Sequence, residues 1–421
     1  VVQVIAPEGE GAYDAAAAAA TANQTAGEEK VDEKENEMEQ YIVPDGRYQK
    51  EESQTTYGES ELADTVDLTK EYDETKFTIF STPKPMNDPH IAMIQTNAIR
   101  SWAHLKPKPD IIIFGAEEGL DKLAATVGAK YIPRVKVLDE KSRGVHSSHP
   151  VTPTPAMGSL FYQAMSISTT KSLVFINGDI MLPPVFGDLL MTVSNATNRF
   201  LMMSHRYRQW VREYIDFSNP LWYMDSFGKC EKPGALKNCT WTRDSSRAVD
   251  YFAFTRETWA KVRLLEFAVG RPAYDNWLVS KAALSSTPII SATEVMRALH
   301  QNHNYKHITA AATSSEKYIT GKNAELFSNP LADYNRRIIA FKEKEGLLVI
   351  RGDQRFNTFK MRQTRKDCRA TKYVSHGCSY QVVRVRPNQR LQKYMPKLGH
   401  PKFNCKHKHL CITHVQLPSG T

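Results

Sequence analysis

The alternation of short apolar runs with amphipathic helical segments limits the folds open to this chain more than any other feature. Phe77–Ser81 (FTIFS), Asp110–Phe114 (DIIIF), Val135–Leu138 and Leu173–Ile176 read as strands. Between them, His90–Leu105 has helical spacing, with Ile91, Ile94, Ala98 and Trp102 on one face. Gly119–Val127 reads as a second helix and Pro155–Ile167 (PAMGSLFYQAMSI) as a third. Strands separated by helices at this spacing imply βαβ units, and hence an α/β fold with a mostly parallel sheet.

The fourth of these strands ends abruptly. Lys171–Leu182 reads KSLVFINGDIML, so Asn177-Gly178-Asp179 interrupts two apolar runs. A carboxylate at the carboxyl end of a buried strand is costly unless something cationic meets it. That edge is also where open α/β sheets bind ligands. Asn-Gly marks ordinary turns as well. Further on, Asp250–Trp259 reads DYFAFTRETW, Phe267–Trp277 reads FAVGRPAYDNW and His300–His307 reads HQNHNYKH.

Taken in order, TPTPAMGSLFYQA, FINGDI, DYFAF, GRPAYDNW and HQNHNYKH resemble a family of GT-A glycosyltransferase-like proteins of plants, algae and bacteria. That family carries a G-T-P helix start, then N-x-D-I, D-F/Y-F-x-F, G-R-x-x-x-D-N-W and H-Q-N-H-x-Y-x-H. The resemblance spans roughly Phe77–His307, with Thr152-Pro153-Thr154-Pro155 in place of the glycine version. It implies a GT-A (Rossmann-like) mixed sheet flanked by helices. Asn177-Gly178-Asp179 then stands where nucleotide-sugar glycosyltransferases carry a D-x-D metal motif, with Asn177 replacing the first Asp.

The resemblance also implies a reaction: metal-dependent, inverting transfer from a nucleoside diphosphate sugar, UDP-sugar favoured over GDP-sugar, to a glycan or glycoprotein acceptor. Asp179 is the expected ligand of Mn2+ or Mg2+. A second ligand is expected from His300 or His303, which share a face in a helix and diverge in an extended chain. Imidazole suits Mn2+ better than Mg2+. Asp275 is the expected catalytic base, or else the N-cap of a helix over Trp277–Leu284. Asn177 holds a ribose hydroxyl or a metal-bound water, or only forms a turn with Gly178. Asp250 positions sugar hydroxyls or is a strand-edge turn residue, and Arg271 holds phosphate or pairs with an acid. Ser81, Thr82 and Lys84, with Asn97 and Arg100 on the next helix, are the expected nucleotide contacts. The competing reading is a catalytically silent GT-A domain serving as an extracellular structural glycoprotein. A nucleotidyltransferase fits less well, because Ser81–Pro85 has no glycine.

At 421 residues the chain exceeds one ordinary domain. Residues 1–75 form an acidic, low-complexity stem, 76–345 the GT-A domain, and 346–421 a basic extension that dominates the net charge of +9. The extension suits polyanion contact or pairing with the acidic stem. The six cysteines, Cys230, Cys239, Cys368, Cys378, Cys405 and Cys411, suggest local disulfides rather than zinc. The sequons at Asn195 and Asn238 agree with an oxidising compartment. No apolar run reaches the ~20 residues of a transmembrane helix. Stem, core and cysteines together suggest the Golgi lumen, as a type II enzyme without its anchor, or secretion.

Overall fold

Phe77, Ile79 and Phe80 are fully buried on β1 (Asp73–Ser81), and the main sheet grows outward from that strand. The computed structural model describes residues 66–138, 153–227, 241–244, 248–271, 274–285, 287–303, 334–335, 359–363 and 380–384. On one side of β1 lie β2 (Asp110–Phe114) and β3 (Lys130–Ile132), both in parallel register. On the other side, β6 (Thr170–Ile176) pairs parallel to β1. Beyond it, β11 (Tyr251–Thr255) runs antiparallel to both β6 and β8 (Leu201–Met203). β12 (Ile289–Ser291), β14 (Phe359–Gln363) and β15 (Tyr380–Arg384) complete a nine-stranded mixed sheet. Its order is β15-β14-β12-β8-β11-β6-β1-β2-β3. A four-stranded sheet, β10 (Thr242–Arg243), β9 (Arg206–Gln209), β13 (Ala298–Gln301) and β7 (Ile180–Met181), stands apart, as does the pair β4 (Val137–Leu138) and β5 (Thr154–Pro155).

Both faces of the main sheet are covered, which is why its strands read as continuous apolar runs. Successive residues of a strand point to opposite faces. Ile79, Ile111, Ile113, Val174 and Ile176 therefore enter one core, with α1 (Pro89–Ala103), α2 (Leu120–Val127) and α4 (Phe186–Ala196). Phe80, Ile112, Phe114, Leu173 and Phe175 enter the other, with α3 (Met157–Ile167) and α5 (Tyr274–Leu284). The start of α1 is fixed by Asp88, whose carboxylate accepts the N–H groups of His90 and Ile91 at 2.8 and 3.0 Å, with Pro89 in the first turn. Its far end is tied down by Trp102, whose Nε1 donates to the Ile180 carbonyl at 2.8 Å. Arg256, of the DYFAFTRETW run, is buried and donates to the carbonyls of Met165, Ser168 and Thr170, satisfying the chain where α3 ends.

The mixed α/β sheet expected from the sequence is present, with three local differences. The third strand of the sheet is Lys130–Ile132, a three-residue edge strand too short for its periodicity to show; Val137–Leu138 pairs instead with Thr154–Pro155. Phe359–Gln363 and Tyr380–Arg384, assigned from sequence to the basic extension, pair onto the edge of the main sheet. Asp275 lies inside the first turn of α5 rather than ahead of it. All six cysteines, Asn238 and His307 lie outside the described residues, as does the stem up to residue 65. Asn195 is exposed in the last turn of α4. Among the described residues no helix is long and apolar enough to cross a membrane.

Gly187, in the first turn of α4, faces the Lys106 carbonyl so closely that a Cβ would overlap it. Backbone cannot rotate away as a flexible side chain can. Gly187→Ala is therefore expected to lower the unfolding free energy by about 1–3 kcal/mol, the usual cost of overpacking. Urea unfolding would measure this, and an unchanged midpoint would show that the helix shifts freely.

Candidate functional site

The chain leaves β1 toward β2 and β3, then returns to the opposite side of β1 as β6. The carboxyl ends of β1 and β6 thus form the topological switch point, where open α/β sheets hold ligands. Ser81 closes this junction from within: it is fully buried and its Oγ donates to the Ile176 carbonyl at 2.6 Å. The loop after β1 is clamped by Gln95, which accepts the Lys84 N–H at 2.6 Å and donates to the Lys84 carbonyl at 2.9 Å. Gly178 packs directly on this loop. A Cβ there would come within 3.0 Å of Pro83 Cβ and 3.3 Å of Gln95 Oε1. The glycine of N-G-D keeps the loop after β1 and the end of β6 in close approach, beyond any turn it makes.

Asp179, His300 and His303 converge at this edge. Asp179 Oδ2 lies 3.0 Å from His303 Nε2 and 3.7 Å from His300 Nε2. All three side chains are buried, and candidate ligand atoms of the three lie within 4.8 Å of one another. His300 stands on β13 and His303 two residues past its end. The expectation that a shared helical face would unite them is corrected: the strand stops at Gln301, and the irregular backbone at Asn302 brings His303 to the same carboxylate. Gln301 makes the placement rigid. Its N–H and Nε2 both donate to the Asp179 carbonyl at 3.2 Å, and Nε2 also reaches the Ile94 carbonyl at 2.7 Å.

The donor set fits a divalent cation. Asp179 Oδ1 and His300 Nδ1 are buried without hydrogen-bond partners. His303 Nε2 faces Asp179 Oδ2 on one side and Lys84 Nζ, at 3.3 Å, on the other. A single ring nitrogen either donates or accepts, so it cannot bond both neighbours. A cation held by that nitrogen and the carboxylate together would meet both lone pairs. Metal bonds of about 2.1 Å put adjacent ligand atoms roughly 3–4 Å apart, the spacing seen here. Burial alone would raise the Asp179 carboxyl, but the hydrogen bond from His303 and the Lys84 ammonium hold it below the usual carboxylate range. Burial pushes His300 down to about 3, which keeps its imidazole neutral and able to ligate.

A second group of charges lies beside the first. Asp250, the residue before β11, is buried and accepts Arg206 Nη1 at 3.1 and 3.3 Å; Arg206 also pairs with Asp244. Asn177 Nδ2 donates to Asp250 Oδ1 at 3.2 Å, and Tyr274 OH donates to Asn177 Oδ1 at 3.2 Å. Asn177 is therefore held on both sides. Burial pushes the Asp250 carboxyl up, Arg206 opposes this, and Asp179 adds to it. Asp275, half-buried in the first turn of α5, accepts the Asn276 N–H at 2.8 Å. Burial raises its carboxyl to about 7, with Asp250 adding to the shift.

The remaining expected contacts divide. Thr82 and Lys84 lie in the loop at the switch point, and Arg271 is near enough to Lys84 to depress its ammonium further, after burial has lowered it. Ser81 and Asn97 are corrected. Both are fully buried, and Asn97 is used up by the Glu213 carbonyl, Gln301 Oε1 and the Ile215 N–H. Arg100 is also corrected: it lies in the last turn of α1, at the end remote from β1's carboxyl edge, with its guanidinium 4.9 Å from the Phe217 ring. Gln301, Arg206, Asp244 and Tyr274 were not singled out from sequence. Gln301 and Tyr274 lie inside quoted motifs, whereas Arg206 and Asp244 carried no signal.

No family model matches the chain, and no curated protein matches it. Among solved structures, S. aureus TarS 1–349 in complex with UDP-GlcNAc aligns over 65% of this chain and 75% of its own, at 10% identity and TM-score 0.35. Glucosyl-3-phosphoglycerate synthase from Mycobacterium tuberculosis, in complex with Mn2+, UDP and phosphoglyceric acid, aligns over 56% of this chain and 74% of its own, at 17% identity and TM-score 0.32. At such TM-scores the likeness decides neither fold nor function.

Asp275 makes the site's first testable consequence. The fold holds its proton more tightly than the unfolded chain, where the carboxyl titrates near 3.8. Between about pH 4 and about pH 7 the folded state binds more protons, so its stability falls as pH rises through that window. Asp275→Asn removes the titration and keeps an oxygen for the Asn276 N–H. The variant should gain on the wild type in urea unfolding as pH is raised from about 4 to about 8. Parallel pH profiles would count against a raised Asp275.

Proposed function

We propose that the protein is a metal-dependent GT-A glycosyltransferase that moves a sugar from a nucleoside diphosphate sugar, favouring UDP, to a glycan or glycoprotein hydroxyl with inversion. The observation that carries this reading is the Asp179–His300–His303 cluster, with unpartnered buried atoms, at the switch point of the sheet and beside the cation Lys84. Asp179, His300 and His303 would hold Mn2+ or Mg2+, which supplies Lewis-acid neutralisation of a diphosphate. Two imidazoles among three ligands favour Mn2+.

The chain's own groups do the rest. Lys84 and Arg271 add positive charge against the leaving diphosphate. Asp250, fixed by Arg206 and Asn177, presents a carboxylate to sugar hydroxyls. Asp275 takes the proton of the acceptor hydroxyl as its oxygen bonds to the anomeric carbon. The bond from that carbon to the diphosphate breaks, and its electron pair leaves with the nucleotide. A carboxyl titrating at about 7 is well matched to a base that works near neutrality.

Asp179→Asn should abolish Mn2+-dependent UDP binding while the circular dichroism and melting temperature stay near wild type. Calorimetry with UDP in the presence of Mn2+ reads this, and unchanged affinity would sink the metal assignment. Asp275→Asn should keep UDP affinity and lower turnover about 10²–10⁴-fold, the usual share of a general base. Asn keeps an oxygen for the Asn276 N–H, so full turnover in that variant would leave Asp275 with only that first-turn hydrogen bond as its role.

A further inference from the structure

Trp210 is the exception among the six tryptophans. Trp102, Trp222, Trp241, Trp259 and Trp277 are buried, whereas Trp210 is 51% exposed. It directly follows β9, which runs parallel to β13 with Arg208 opposite His300 and Gln209 opposite Gln301. The pairing continues one step further, since the Asn302 N–H donates to the Gln209 carbonyl at 2.8 Å. The indole of Trp210 lies 6.1 Å, centre to centre, from the imidazole of His90. His90 Nε2 lies 3.0 Å from the carbonyl of Asn302, the residue before His303. The exposed indole is thus held at the rim of the Asp179–His300–His303 cluster by the same backbone that positions the histidines.

We propose that Trp210, with His90 beside it, is a stacking subsite for a pyranose ring of the acceptor glycan. A pyranose presents C–H groups on one face and hydroxyls around its edge. An indole with an apolar face and polar neighbours complements both. The flanking residues supply that polar rim: Arg212, Glu213 and Tyr214 are exposed, and Asn302 is half-buried. A protein partner fits less well, because a standard interface takes about 800 Å² from each side. Here the exposed large apolar side chains near this segment are Trp210, Tyr214 and Leu221 alone among the described residues. A nucleobase is also less suited. Trp210 directly follows β9 of the four-stranded sheet, whereas the switch point is formed by the ends of β1 and β6 in the main sheet.

The inference rests on the glycosyltransferase reading for its choice of ligand, but its test does not need the reaction. The full chain, in chelator and without nucleotide, is titrated with neutral gluco-, xylo- and galacto-oligosaccharides while tryptophan emission is followed. At least one series should give a saturable change, because Trp210 is the most exposed indole. Trp210→Ala should weaken binding at least tenfold by calorimetry, Trp210→Phe should retain part of it, and Asp179→Asn should leave it intact. Sugar binding without Mn2+-dependent UDP binding would uphold the subsite and defeat the donor site. UDP binding without any response to the sugars would do the reverse. An emission change with UDP alone, or equal sugar affinity in Trp210→Ala, would also overturn the subsite.

Discussion

The side chain of Gln301 is the point on which the arrangement of the site depends. It is fully buried and joins three segments that are far apart in sequence: α1 through the Ile94 carbonyl and Asn97, the N-G-D turn through the Asp179 carbonyl, and its own strand β13. A buried amide left without partners costs about 1–3 kcal/mol, so these segments are locked in one register or not at all. The lock has a direct chemical result. His300 and His303 flank Gln301, and Asp179 supplies the carbonyl it holds, so the three clustered side chains are fixed relative to one another. Such a prepared set of donors loses little freedom on binding.

That lock explains the pattern of what could be read from the sequence. The buried strands were legible because a sheet covered on both faces needs unbroken apolar runs, and Phe77–Ser81, Asp110–Phe114 and Leu173–Ile176 supply them. Asp179 drew attention because a carboxylate ending such a run is costly without a cationic partner, and two imidazoles and Lys84 lie around it. Histidines three apart drew attention but not their geometry, which depends on where β13 stops. Asn97 and Ser81 misled for a shared reason. Both sit where a ligand contact would sit in chain order, yet their side chains are spent on internal bonds that only the folded chain reveals. Lys130–Ile132 was missed because one exposed and two half-buried residues at a sheet edge carry no period to detect. Arg206 and Asp244 belong to a pairing across separate strands, and no local pattern announces it.

The same charges account for an asparagine at position 177. Asn177 Nδ2 lies 3.2 Å from Asp250 Oδ1, and Asp250 already shares its surroundings with Asp179 and Asp275. Two carboxylates at that distance cannot both stay ionised without raising one pKa sharply. An aspartate at position 177 would bring one more negative charge to a site whose cations are already committed: Arg206 to Asp250 and Asp244, and Lys84 beside His303. Asparagine keeps the size and the hydrogen bonds and adds no charge. Its Nδ2 donates to Asp250, where a carboxylate could only repel, and its Oδ1 accepts from Tyr274. The negative charge beside Asn177 is carried by Asp250, the residue before β11. Asparagine at this position therefore limits the negative charge at the sheet edge to Asp250, Asp275 and Asp179, the last of which faces the two imidazoles.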